Sequence, residues 1–142
     1  SCTPSRAIPI LHIHGDEDRC WPYAGGVGSC VESQQTSGDY VSVAESTVGI
    51  AGSPGWVPRY QCGETPVVDA LPDLMSDGTT TSRSTYSGCR DGVTVSLLTV
   101  QGAGHTWPGG DQYLAESRIG KTSTDFSAST LIWDFFKNLA IP

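Results

Sequence analysis

Two stretches of the chain alternate apolar and polar positions with the period of a strand. In "AIPILHIHG", residues 7–15, Leu11 and Ile13 interleave with His12 and His14 before Gly15. In "GVTVSLLTVQGAGH", residues 92–105, a β-branched run ends in a glycine-rich turn. Both patterns predict strands that run into polar loops. The Thr-, Ser- and Tyr-rich segment 79–89 predicts a third strand, paired with the second as a hairpin through the turn "RDG" at 90–92. Near the end, Phe126, Leu131, Ile132, Phe135, Phe136 and Leu139 recur at close to helical spacing behind the caps Thr124 or Ser127. This predicts a helix within 124–139 laid on a sheet. A shorter helix is expected within 42–50, broken by "AGSPGWVP" at 51–58.

Strands separated by helical and loop segments imply an α/β layer arrangement in one domain, residues 1–142. The sheet is thin for that class, so the chain reads as part of a larger one.

Composition narrows the picture. With 142 residues and 37% hydrophobic content the chain is large enough to bury one core, while 17 Gly and 9 Pro predict long connections. A net charge of −7 offers no basic patch, so neither nucleic acid nor an anionic membrane is an expected partner. No apolar run approaches the ~20 residues that span a bilayer, and the start "SCTPSRAIPI" lacks the pattern of a secretion signal. Either such a signal has been removed or the natural start lies elsewhere. Five cysteines, with no Cys-x-x-Cys pair, predict disulfides in an oxidising compartment rather than five free cytosolic thiols, with at least one cysteine left over.

Candidate chemistry sits where the two alternating strands end. In "QGAGHTWPGG", 101–110, Gly102 and Gly104 allow a sharp turn that leaves His105 at a strand's C-terminal end, where ligands bind in open α/β sheets. Taken alone, "GAGH" is also what a surface turn looks like. Asp18, in the loop after the other strand, is the carboxylate that would fix the tautomer of His105 for general-base work. The acid precedes the histidine by 87 positions, the acid-then-histidine order of an α/β-hydrolase triad. The nucleophile elbow Gly-x-Ser-x-Gly is missing. The nearest string, "AGSPG" at 51–55, has Pro54 after Ser53 and lies between acid and histidine, so Ser53 reads as a loop serine.

"PILHIHGDEDRCWPYAGG", 9–26, resembles the catalytic-acid segment of secreted esterases of the poly(3-hydroxybutyrate) depolymerase and feruloyl or acetylxylan esterase group. Segments 86–114 and 119–136 resemble the same group's catalytic-histidine strand and closing helix, most specifically in Gly-His-Thr-Trp-Pro-Gly-Gly. The resemblance covers nearly the whole chain. It implies the C-terminal part of an α/β-hydrolase sheet, with Asp18 as triad acid, His105 as triad base, no cofactor, and a serine and oxyanion hole upstream in a half this chain does not contain. It therefore also implies that this chain alone has little or no esterase activity. The sheet would need covering, by that half or by a second copy.

The segment 48–62 departs from the group, whose members carry a plainer helix before the cysteine. Within the same resemblance, Cys20 and Cys30 would close the acid loop and Cys62 and Cys89 would tie a long loop to the hairpin, leaving Cys2 for the absent half. Four cysteines still allow three pairings. Trp21, Tyr23, Trp107 and Tyr113 either line an acyl, aromatic or polymer site or pack loops onto the sheet.

Two other classes fit parts of the pattern. His12, His14 and Asp16 have the start of a metallohydrolase His-x-His-x-Asp motif, and His12 and His14 share a strand face. Asp18, however, stands where that motif closes with histidine, and His105 is the one other histidine. A strand histidine at 12 and a loop-shaping neighbour of Asp18 at 14 account for both. A non-catalytic module binding polymer or carbohydrate through exposed aromatics would need no Asp and His at matched strand ends.

Overall fold

The computed structural model describes residues 5–29, 40–49 and 55–139. Four strands form one mixed sheet in the order β1-β4-β3-β2: β1 Ile10–Gly15, β2 Val67–Ala70, β3 Thr80–Tyr86 and β4 Val95–Gln101. The two alternating strands of the sequence lie side by side and parallel, with Ile10 opposite Val95 and Gly15 opposite Val100. β3 and β4 form the expected antiparallel hairpin. Its connection includes a 3-10 turn at Arg90–Gly92, in which Asp91 takes φ 60° and uses its carboxylate to accept from the Ala7 amide at 2.8 Å.

Helices stand where periodicity asked for them. α1, Val43–Thr47, starts in a capping box: the Ser42 hydroxyl accepts from the Glu45 amide, and the Glu45 carboxylate accepts from the Ser42 amide. α4, Ala128–Phe136, is capped by Ser127, the second of the two predicted caps, and packs against β1. Three elements were not predicted: the edge strand β2, α2 at Trp56–Arg59, and α3 at Glu116–Ile119.

The core is divided by the sheet. On the face carrying Ile10 and Val95, α2 and the hairpin end enclose Val57, Tyr60, Tyr86 and Cys89, with Tyr60 only 1% exposed. The unusual segment before Cys62 thus supplies core residues. Cys62 and Cys89 are joined by a disulfide, one of the pairings left open by the sequence. On the other face Leu98 and Val100 are fully buried, each such side chain contributing about 1.5–3 kcal/mol.

One edge is left without a neighbour among the described residues: β1 pairs only with β4. A hollow of about 450 Å³ runs along that edge, lined by all six β1 residues, by Ser46 and Trp56, and by Ala128 and Ile132 of α4.

Candidate active site

The parallel pairing of β1 and β4 brings both candidate loops to one end of the sheet. The acid loop then clamps onto the end of β4 and the histidine loop through its backbone: the Asp16 amide donates to Val100 O at 3.1 Å and the Glu17 amide to Ala103 O at 3.0 Å. Asp16 adds a side-chain tie, its Oδ1 accepting from the Gly102 amide at 2.7 Å. Gly102 sits at φ +77°, where a side chain is strained, and a Cβ on Gly104 would run into the carbonyl of Ile119. Both glycines of the "GAGH" turn are thus demanded by the backbone.

Asp18 and His105 meet directly. Asp18 Oδ1 accepts from the amides of Cys20 and Trp21, both at 2.8 Å, and Oδ2 lies 2.9 Å from His105 Nδ1. A carboxylate only accepts, so Nδ1 carries the proton and Nε2 is left as the basic nitrogen. Asp18 is 8% exposed, whereas the His105 side chain is 42% exposed, so the acid is sheltered while its partner faces the opening. His105 is held by its main chain: its amide donates to Ile119 O at 2.6 Å and its carbonyl accepts from the Tyr113 hydroxyl at 2.7 Å. This is the geometry in which an imidazole takes a proton at Nε2 while a carboxylate stabilises the resulting cation.

His105 Nε2 makes no hydrogen bond among the described residues. It borders a hollow of about 510 Å³ lined by Asp18, Trp21, Val43, Ser46, Thr106, Trp107 and Tyr113, among others. The two small hydroxyls on this wall are committed elsewhere, Ser46 Oγ donating to Val43 O and Thr106 Oγ1 to Lys121 O, each at 2.9 Å. Ser53 lies outside the described residues.

Of the four aromatics singled out in the sequence, three face this hollow. Trp21, half exposed, leans on Tyr40 at 4.6 Å between ring centroids, and Trp107, also half exposed, is oriented by its indole N–H donating to Ser129 Oγ at 3.1 Å. Tyr113 lines it as well. Tyr23 does not line it; its hydroxyl is 2.7 Å from Thr99 Oγ1 on β4 and its ring is edge-on to His14. The phenol ties of Tyr113 and Tyr23 were not foreseen, and only pairing across the fold could have shown them.

His12 and His14 do share a face, as a metal pair requires, but His12 Nε2 and His14 Nδ1 face each other at 3.2 Å and His14 Nε2 meets the Trp21 carbonyl. The metal-ligating groups that do converge among the described residues are Asp18, Cys20 and His105. Cys20 is disulfide-bonded and offers no thiolate. Its expected partner Cys30, like Cys2, lies outside the described residues.

No family model matches the chain, and no solved structure matches it. Over 136 residues the chain is 29% identical to NocK of Nocardia uniformis subsp. tsuyamanensis, a protein named as an esterase. The match takes in 93% of this chain and 38% of NocK, so the chain spans well under half the length of that relative.

Proposed function

We propose that this chain supplies the acid and base of a secreted serine carboxylesterase of the poly(3-hydroxybutyrate) depolymerase and feruloyl or acetylxylan esterase group. The observation that carries the reading is the couple of sheltered Asp18 and His105, with Nε2 open to a hollow at the C-terminal ends of two parallel strands. The likeness to NocK supports an ester as the substrate.

In this reading a serine of the longer protein, upstream of this chain, attacks the ester carbonyl, and His105 Nε2 takes its proton and returns it to the leaving alcohol. Asp18 orients the imidazole and stabilises its cation. Water then repeats the sequence on the acyl-enzyme. The free edge of β1, with its lining hollow, suits a parallel strand from the segment that brings the serine and the oxyanion donors. Trp21 and Trp107 form the apolar wall that receives the acyl or alcohol part of the substrate. The Cys62–Cys89 disulfide suits an oxidising compartment.

The test uses two preparations, the purified 142-residue chain and a longer protein that includes it. The chain alone is expected to leave a p-nitrophenyl acyl ester intact and to take no fluorophosphonate label. The longer protein is expected to hydrolyse the ester and to take the label, and to lose turnover on His105→Ala. Turnover by the 142-residue chain, abolished by His105→Ala, would place the nucleophile inside it and overturn the reading.

A further inference from the structure

We propose that His14 is a positioning residue of the acid loop, locking the Trp21 main chain against Asp18 in a tautomer that His12 imposes. The claim about the loop is structural, and only its kinetic consequence rests on the esterase reading above.

Hydrogen-bond chemistry fixes the direction of the chain. His14 Nε2 lies 2.8 Å from Trp21 O, and a carbonyl cannot donate, so Nε2 carries the proton. In the neutral ring Nδ1 is then an acceptor. It faces His12 Nε2 at 3.2 Å, so His12 is the donor and holds its own proton at Nε2. Trp21 is gripped at both ends of its main chain, its amide donating to Asp18 Oδ1 and its carbonyl accepting from His14. The same Nε2 stands 3.6 Å from Asp18 Oδ2, the oxygen that meets His105. His14 thus reaches the candidate catalytic carboxylate by two routes without touching the open side of His105.

Burial, and secondarily the neighbouring His14, lower the His12 pKa to about 4, so His12 stays neutral near pH 7. The titratable groups around His14 are His12 on its own strand, Asp18 and Tyr23 from the acid loop, and His105 across Asp18.

With three histidines in the sequence, nitrogen-15 spectra of the 142-residue chain read every tautomer directly. Nε2–H is expected at His12 and His14, and Nδ1–H at His105. His14→Phe removes both roles and should broaden or erase the downfield Nδ1 proton of His105 while the β1–β4 amides keep their dispersion. His14→Gln supplies one acceptor and one donor and should restore it. If His14→Phe does not fold, His14→Gln and His12→Phe decide: the first must keep the His105 proton, the second must leave His14 in mixed tautomers.

An Nδ1–H tautomer at His14, or a His105 proton unchanged in His14→Phe, overturns the proposal. In the longer protein His14→Phe should lower kcat by up to about 100-fold with little change in KM, the order of loss that a misplaced catalytic group brings, and His14→Gln should recover it. If the spectra behave as expected but His105→Ala leaves ester turnover intact, the esterase reading fails and the role of His14 in the loop stands.

Discussion

The two ends of the β1–β4 pair are held by opposite means. At the end where β1 begins, Ala7, Val57, Tyr60, Tyr86 and Val95 close over apolar surface, and the Cys62–Cys89 disulfide crosses the same cluster. At the end where both strands finish, apolar contact gives way to directed bonds: Asp16 to Gly102, Asp18 to Cys20 and Trp21, and Tyr113 to His105. Apolar packing is non-directional and makes the fold stable. A lattice of hydrogen bonds contributes less per contact but fixes angles, which acid–base chemistry requires. Stability and chemistry should therefore respond to different substitutions.

The sharpest test of that division is His105→Ala in the longer protein, expected to cost about a million-fold in kcat with no fall in Tm beyond that of a surface change. Stopped assays and calorimetry on the same preparation check both halves of the statement. Asp18→Asn is expected to cost about ten-thousand-fold by allowing the wrong tautomer of His105, although the amide oxygen of the new side chain would still accept from the Cys20 and Trp21 amides and keep the loop folded. If Asp18→Asn unfolds the protein instead, the two ends are not separable.

At the opposite end, replacing Cys62 and Cys89 together by Ala should remove about 2–5 kcal/mol of stability. Turnover per folded molecule should stay constant, as read by denaturant titration alongside active-site counting.

Smaller effects follow from titration. His12, lowered to about 4 by burial and His14, binds its proton more weakly folded than unfolded, so its contribution to stability is present above the ordinary histidine value of 6.5 and is lost as pH falls toward 4. Measured between those limits, Tm should fall less steeply with acid in His12→Phe than in the parent. Asp77 behaves in the same sense at lower pH. Desolvation raises its carboxyl, but four hydrogen bonds, from the amides and hydroxyls of Thr124 and Thr79, outweigh that and hold it well below the usual carboxylate range. The stability it lends is present above about pH 4 and is lost on further acidification, an effect that Asp77→Asn should flatten.

Much of the candidate site was legible because its signals are local. Alternation marked 7–15 and 92–105 as strands, and the turn glycines showed where each ends. That Asp18 and His105 meet depends on β1 and β4 lying parallel and adjacent, a pairing that the two strand patterns do not themselves encode. β2 was invisible for a physical reason: Val67 and Val68 are adjacent and both exposed, so no alternation exists to be read. α2 and α3 are four residues each, too short for a helical period to show. The tie from Tyr113 to the His105 carbonyl depends on where a loop returns in space, which spacing along the chain does not encode. His12 and His14 shared a face as expected, yet only the position of the Trp21 carbonyl revealed that they bond to one another.

The couple of Asp18 and His105 is assembled entirely by β1, β4 and the loops that follow them. In the esterase reading, a protein divided ahead of β1 would separate into two silent pieces, one carrying the proton-handling pair and the other the nucleophile. Fused to two molecules that associate, such pieces would regain colour-forming turnover only when brought together, which makes the boundary ahead of β1 a natural place to build a split reporter.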